Sequence, residues 1–471
     1  MPETWAKPAG LDLHLDLSGT RVRAGLETAL RDAVRAGRLP PGLRLPSSRA
    51  LAADLGLARN TVAEVYSQLV AEGWLTAASG SGTFVAPRPA PDFGAAAGGR
   101  PEAVAFRYDL RPGVPDLSAF PRGGWLATAR KVLAAAPDHV LGYPDPRGLP
   151  QLRAALAGYL ARARGVIADP GRIVICAGFS HGLAVVCRAL RSAGPATLAV
   201  EAYGHSEHRD IATGQGLRLR PVTVDSMGAV IGEASGADAM LLTPAHQFPL
   251  GVTLHPRRRR EVAGWGGVVI EDDYDGEFRY DRQPVGALQA LAPDHVIYAG
   301  TASKSLAPSL RLGWLVVPPR LLDAVTAELT AGPSGLDQLT LAEFITSGDY
   351  DRQIRRARLA YRRRRDRLVA VLPGGRSPGP GSPGPGSPGP GSPVSGIAAG
   401  LHAVLDLPRT DLEHDMIARA SERGLALDGL ERYWAGPGSG GERAGLVIGY
   451  ARPPEHAYTT ALARLRAVLS G

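Results

Sequence analysis

Short β-rich runs alternate with helix-length segments through the middle of the chain, at Arg172 to Cys176, Ala196 to Val200, Ala239 to Leu242, Gly267 to Ile270, Val296 to Tyr298 and Gly313 to Val317. Parallel strands need a long crossover, usually a helix, to bring the chain back alongside itself. The spacing therefore predicts an α/β sheet whose ligand lies at the strand ends. At 471 residues the chain is long enough for two or three domains and a large core.

The chemistry-bearing residues fall at those strand ends. Of 53 lysines and arginines only Lys7, Lys131 and Lys304 are lysine. A guanidinium stays protonated, whereas an amine can lose its proton in a suitable pocket and condense with an aldehyde. Lys304 sits in Thr-Ala-Ser-Lys-Ser-Leu-Ala-Pro-Ser-Leu-Arg-Leu-Gly-Trp, residues 301–314, where hydroxyls at Thr301, Ser303 and Ser305 and the guanidinium of Arg311 can hold a phosphate beside the amine. Those are the demands that pyridoxal phosphate (PLP) makes of its host. A solvated lysine in a serine-rich loop is the plainer reading of the same window. Ala177-Gly178-Phe179-Ser180-His181-Gly182 follows the first strand and opens a helix, where free backbone N–H groups and the helix dipole favour a phosphate. Glu271-Asp272-Asp273-Tyr274-Asp275 follows Ile270, and Glu201-Ala202-Tyr203-Gly204-His205 follows Val200. No further ligand is spaced to turn the acidic run into a metal site, so no metal is expected.

Residues 21–60 carry eight arginines against Glu27, Asp32 and Asp54. Leu26, Leu30, Ala33, Val34 and Gly37 recur on one helical face, and Ser47 can cap a helix from Ser48 to Leu55 that Gly56 ends. Val62, Val65, Tyr66, Leu69 and Val70 form an amphipathic stripe that stops at Gly73. Trp74 to Thr76 and Thr83 to Val85 then read as strands around Gly80-Ser81-Gly82. Three helices followed by a hairpin are the plan of a winged helix-turn-helix, with the helix from about Arg59 to Glu72 entering the major groove. A small helical domain for protein interaction is the other reading of the pattern.

Gly-Leu-Arg-Leu-Pro-Ser-Ser-Arg, Leu-Ala-Ala-Asp-Leu-Gly, Arg-Asn-Thr-Val, Tyr-Ser-Gln-Leu, Glu-Gly-Trp-Leu and Gly-Ser-Gly-Thr-Phe-Val, all within residues 42–85, resemble the GntR family of regulators. Ser303 to Trp314 resembles the PLP-lysine segment of fold-type I aminotransferases, in the version found in the MocR subfamily of GntR regulators. Phe106 to Pro121 and Leu141 to Arg164 resemble the same aminotransferase-like domain, so the likeness covers nearly the whole chain. The resemblance implies an α/β PLP fold type I unit with large and small subdomains behind an N-terminal winged helix-turn-helix. Residues 1–86 would form the DNA-binding domain, 87–105 a flexible linker rich in Pro, Ala and Gly, and 106–471 the effector domain. It also implies roles. Arg49, Arg59 and Thr61 would contact DNA, with Ser47, Ser48 and Gly82 supporting phosphate contacts. Lys304 would carry the Schiff base with PLP. Asp272 would hold the ring nitrogen, Tyr274 the phenolic oxygen and His205 a ring face, while Gly178, Phe179, Ser180, Thr301, Ser303 and Arg311 would surround the phosphate. Tyr143 would reach the cofactor phosphate of a partner subunit in a homodimer.

The departures from the pattern bear on function. Ala58 stands where the family usually has a capping Ser, and Ala77-Ala78-Ser79 where a wing arginine is common. Phe248 replaces the asparagine that aminotransferases direct at the cofactor. The run Gly445 to Tyr450 is apolar where transaminases present a carboxylate-binding arginine, with Arg443 and Arg452 on its flanks. Transamination needs the substrate carboxylate clamped so that its Cα–H bond aligns with the ring. The expectation is a DNA-binding regulator that senses PLP or an amine or amino acid effector; the alternative is an active aminotransferase with an accessory DNA-binding module.

The net charge of +8 suits a polyanionic partner such as a DNA operator. No apolar run reaches membrane-span length and no signal pattern opens the chain, so a cytoplasmic location is expected. Cys176 and Cys187 read as buried packing. Arg352 to Arg365, with eight arginines, reads as a solvated or subunit-facing helix, and the Gly-Pro-Gly-Ser-Pro repeat of 377–393 as a disordered insertion.

Overall fold

The structure, a computed structural model, describes residues 22–78, 81–87, 106–194, 196–280, 285–373, 394–436 and 443–470. The 377–393 repeat and, apart from Pro87, the 87–105 linker lie outside these residues. Two units form, Met1–Val104 and Ala105–Gly471.

In the first unit, α1 (Val22–Arg35), α2 (Ser48–Leu55) and α3 (Arg59–Ala71) precede a hairpin of β1 (Leu75–Ala78) and β2 (Gly82–Val85). Local chemistry sets the helix ends. Ser47 Oγ accepts from Ala50 N at 3.2 Å to start α2, and Gly56, at φ 66°, stops it. Ala58 heads α3 without a side-chain cap, and its carbonyl alone takes the Thr61 N–H at 3.0 Å. Leu26 and Leu30 of α1, Leu51 of α2 and Val62, Val65 and Leu69 of α3 meet in one core that Leu75 and Val85 close from the hairpin.

The second unit is built on seven strands: β3 (Ile173–Cys176), β4 (Thr197–Glu201), β5 (Arg218–Val222), β6 (Ala239–Leu242), β7 (Val268–Asp272), β8 (Val296–Thr301) and β9 (Gly313–Val316), in the order β3-β9-β8-β7-β6-β4-β5. Every pairing is parallel except those of β9, which runs against both β8 and β3. Alternation along each strand feeds two cores. Ile173 and Ile175 join the cluster that holds Tyr298 and Trp314, whereas Val174 and Cys176 join that of Leu198 and Ile270. Covering both faces explains why these strands read as continuous apolar runs. Cys176 and Cys187 are buried free thiols.

A smaller antiparallel sheet of Val394–Ser395, His402–Leu407, Ala444–Gly449 and Asp428–Gly429 forms the C-terminal subdomain. The arginine-rich run lies within one long helix, Asp349–Val371. Most of its arginines are exposed, as expected of a solvated helix, but Arg364 and Arg365 are buried. Arg364 is fully engaged: it pairs with Asp116 at 2.7 Å and Glu455 at 2.9 Å, and donates to the carbonyls of Ala451 and Pro453, both at 2.8 Å. Its planar fork therefore ties the opening segment of this unit to the last helix.

Candidate cofactor site and nucleic-acid interface

Five strands deliver the candidate residues to one place. The C-terminal ends of β3, β4, β7 and β8 carry Gly178, His205, Asp272 and Lys304, and antiparallel β9 brings Arg311 in at its N-terminal end. Lys304 is partly buried, and its Nζ donates to Gly113 O at 2.6 Å. Burial lowers the amine below its ordinary pKa, opposed by the charges of Asp272, Asp275 and Glu207. Asp272 is 4% exposed, and burial holds its carboxyl well above the usual range, with Lys304 acting against the shift. Its Oδ1 has no hydrogen-bond partner among the described residues.

On the opposite side, Gly178 at φ 84° heads the helix Phe179–Ser192. The Arg311 guanidinium lies over it: a Cβ at Gly178 would be 3.6 Å from Arg311 Cζ. A side chain at Gly313 would strike Gly178 Cα at 3.0 Å, so the two glycines let the backbones close around this corner. The Arg311 guanidinium is exposed and has no ion-pair or hydrogen-bond partner among the described residues. Thr301 Oγ1 donates to Ser303 Oγ at 2.8 Å and accepts from Ser303 N at 3.1 Å, which leaves the Ser303 hydroxyl proton for another acceptor. Ser305 does not join this group. It is buried and bonded to Tyr350 at 2.8 Å, because its side chain faces the core side of the loop. Ser180 Oγ donates to Glu207 at 3.1 Å, and the Phe179 ring lies 4.7 Å from that of His208.

His205 is stacked on Phe248, with centroids 3.9 Å apart and planes within 9°. That spacing admits no third ring, so any cofactor ring that stacks on His205 must use its other face. Both residues line a cleft with His208, Arg209, Thr243 and Asp272. Tyr274 OH bonds to His246, at 3.1 Å from both the ring Nδ1 and the backbone carbonyl, and Asp275 holds the same Nδ1 at 2.7 Å. Tyr143 is fully exposed.

His246, Asp275, His402, Glu201 and Gly113 join the site although no sequence motif gives them a role. His402 is buried 5.1 Å from His246, and burial drives it down to about 3, so it is neutral near pH 7. Glu201 accepts from Thr243 N and Oγ1 at 3.1 and 2.5 Å, and burial pushes its carboxyl up to about 7. The signal that could have found His246 is its place beside Phe248 in a loop already singled out. Arg443 and Arg452 are both engaged, with Asp406 and Asp109 respectively. Val447, inside the apolar strand, packs with Phe248, Tyr203 and Tyr433.

In the first unit, Arg49 and Arg59 are exposed at the starts of α2 and α3, beside half-buried Ser48 and Thr61. Ser47 caps α2, and Gly82 opens β2 on the hairpin. The set faces solvent at two helix N-termini and a turn, the three features by which a winged helix-turn-helix meets a duplex.

Residues 23–85 match the family of bacterial regulatory proteins, gntR family, and residues 118–375 match aminotransferase class I and II. A GntR helix-turn-helix followed by an aminotransferase fold defines an HTH-type transcriptional regulator with an aminotransferase-like domain, a class of domain that typically binds PLP. The chain is 32% identical over 483 residues to the HTH-type pyridoxine biosynthesis transcriptional regulator PdxR of Corynebacterium glutamicum, covering 98% of each chain. It is 34% identical over 371 residues to the probable rhizopine catabolism regulatory protein MocR of Rhizobium meliloti, covering 73% of this chain and 75% of that one. It belongs to the MocR subfamily of GntR-type transcriptional regulators. Among solved structures, an archaeal alanine:glyoxylate aminotransferase shares the fold at TM-score 0.67 and 22% identity, covering 78% of this chain and 91% of that one. The alpha-aminoadipate aminotransferase LysN of Thermus thermophilus, complexed with N-(5'-phosphopyridoxyl)-L-leucine, does so at TM-score 0.65 and 22% identity, covering 77% and 92%. Among the described residues no helix is long and apolar enough to cross a membrane.

Proposed function

We propose that this chain is a PLP-dependent transcriptional regulator that binds an operator through residues 1–86 and responds, across the 87–105 tether, to PLP or an amine effector held by residues 106–471. The observation that carries the reading is the buried Asp272 Oδ1, which lacks a partner and feels the charge of the Lys304 amine, together with the exposed Arg311 guanidinium, which lies over Gly178 without an ion pair. A protonated ring nitrogen and a phosphate are the ligand groups that would satisfy them. When bound, PLP supplies an aldehyde that reacts reversibly with amines and a ring that withdraws electrons.

The chain's own residues would do the rest. Lys304, whose proton burial weakens, offers the amine to the aldehyde. Asp272 keeps the ring nitrogen protonated. Arg311, the N–H groups after Gly178, and the hydroxyls of Ser180, Thr301 and Ser303 hold the phosphate, once Ser180 turns from Glu207. Tyr274 would reach the phenolic oxygen, and the full exposure of Tyr143 supports its serving a second subunit. Phe248 makes one wall of the cleft apolar with Val447 packed in the same cluster, and both arginines flanking the C-terminal strand are already paired. With no clamp for an α-carboxylate in that strand, the site favours holding an amine over turning it over.

The test is a label. Purified protein is incubated with PLP, reduced with borohydride, digested and mapped. The pyridoxyl group is expected on Lys304, and both it and the visible absorption should vanish in Lys304→Ala. A label on Lys131, which pairs with Glu343 at 2.6 Å, would overturn the assignment. So would a colourless wild-type protein.

A further inference from the structure

The hairpin lacks an arginine of its own, having Ala77 and Ala78 where the family often carries one. A different segment supplies it. Residues 42–45, between α1 and α2, are hydrogen-bonded along β2: Gly42 N to Val85 O at 2.9 Å, Val85 N to Leu43 O at 2.9 Å and Leu45 N to Thr83 O at 2.8 Å. Arg44 is thereby bridged to Phe84, and its backbone is fixed to the wing. Its side chain runs over Gly82. A Cβ built at Gly82 would lie 3.0 Å from Arg44 Nε and 3.4 Å from Nη2. Gly82 has φ 111°, which suits glycine, and the missing side chain is what gives the guanidinium its place.

Partners then sort the arginines of this unit. Arg23 is paired with Glu27 and Glu64, Arg31 with Glu27 and Glu72, and Arg35 with Asp32. These sit on α1, and their charge is locally neutralised. The side chains of Arg44, Arg49 and Arg59 have no hydrogen bond or ion pair among the described residues, and all three residues are exposed. The last two open α2 and α3, so the uncompensated charge lies on the elements that dock on DNA. Positive side chains left without acidic neighbours attract a polyanion most strongly, because no internal pair must be broken on binding.

We propose that Arg44 is a DNA-contacting residue of the wing, where it binds a backbone phosphate and stands in for the arginine missing from the hairpin. The proposal rests on the helix-turn-helix reading and adds to it a residue outside the docking helices. A guanidinium presents a flat fork that matches two phosphate oxygens, and such contacts position a protein without reading bases.

The test uses the full chain and two duplexes, one carrying the region upstream of its own gene and one of random sequence and equal length. Affinity is measured by fluorescence anisotropy across a series of salt concentrations. Arg44→Ala should weaken binding to both duplexes by the same factor, and lower the slope of log affinity against log salt by about 0.9, the share of one phosphate. Arg44→Gln should do the same, whereas Arg44→Lys should keep the slope. Arg35→Ala, already neutralised by Asp32, should change neither quantity. If Arg44→Ala and Arg44→Gln leave the slope unchanged while Arg49→Ala weakens binding, the proposal falls alone. A loss confined to the upstream duplex would mean base reading and would also overturn it. If Arg49→Ala and Arg59→Ala leave binding intact too, the docking on which the proposal stands falls with it.

Discussion

Replacing Asp272 by asparagine removes a charge and keeps the shape, and the two consequences have opposite signs. In the cofactor complex the carboxylate would hold a protonated ring nitrogen, and a hydrogen bond to a charged group contributes about 1.5 to 3 kcal/mol. At 1.4 kcal/mol per factor of ten, Asp272→Asn should weaken PLP binding by about 10- to 150-fold. In the cofactor-free protein the same carboxyl is buried with one oxygen unpartnered, and its folded pKa lies well above the unfolded value of about 3.9. Between those two values the unfolded chain has released a proton that the folded chain keeps, so stability falls as pH rises. The asparagine variant escapes that loss. Its melting midpoint relative to wild type should therefore climb from about pH 5 to about pH 8, although Lys304 loses a favourable neighbour and trims the gain. The assays are an absorbance titration with PLP and calorimetry of the cofactor-free protein at both pH values. A PLP affinity within twofold of wild type would refute the reasoning, because Asp272 would then be a structural acid only.

Leu30 is 1% exposed in the core of the first unit, so Leu30→Ala should cost that unit about 2 to 5 kcal/mol. DNA binding should fail in a mobility-shift assay, while borohydride still fixes PLP on Lys304. Ala58→Ser should supply the absent cap of α3 and add about 1 kcal/mol, read as a higher melting midpoint of the first unit. Glu201, raised to about 7, destabilises the fold increasingly as pH rises from its ordinary value toward 7. Glu201→Gln should gain stability over wild type across that range in urea unfolding, and level off above it.

Much of this fold is written in local signals. Ser47 and Gly56 bound α2 because a hydroxyl cap and a left-handed glycine act within one turn of chain. Six sheet strands are legible as apolar runs because both of their faces are covered. The seventh, Arg218–Val222, escapes this reading: it lies at the sheet edge, reads Arg-Leu-Arg-Pro-Val and exposes most of its side chains. In the site, the residues at strand ends were legible because the chain must place them there. The Asp275–His246–Tyr274 cluster and the His205–Phe248 stack were not, since each joins segments far apart in sequence. Arg44 is of the same kind. Nothing in its neighbours tells that a glycine beyond α3 will lie beneath it. The burial of Arg364 within an arginine run was likewise hidden, because its partners Asp116 and Glu455 come from the two ends of the second unit.

The most direct test of a cofactor cleft coupled to a DNA reader is the affinity of the full chain for the region upstream of its own gene, measured with and without saturating PLP, in wild type and Lys304→Ala. The account predicts a shift in the wild type, of the order of 5- to 150-fold for a working coupling, and no shift in the variant. Equal wild-type affinities, or a shift that survives the loss of Lys304, would contradict it.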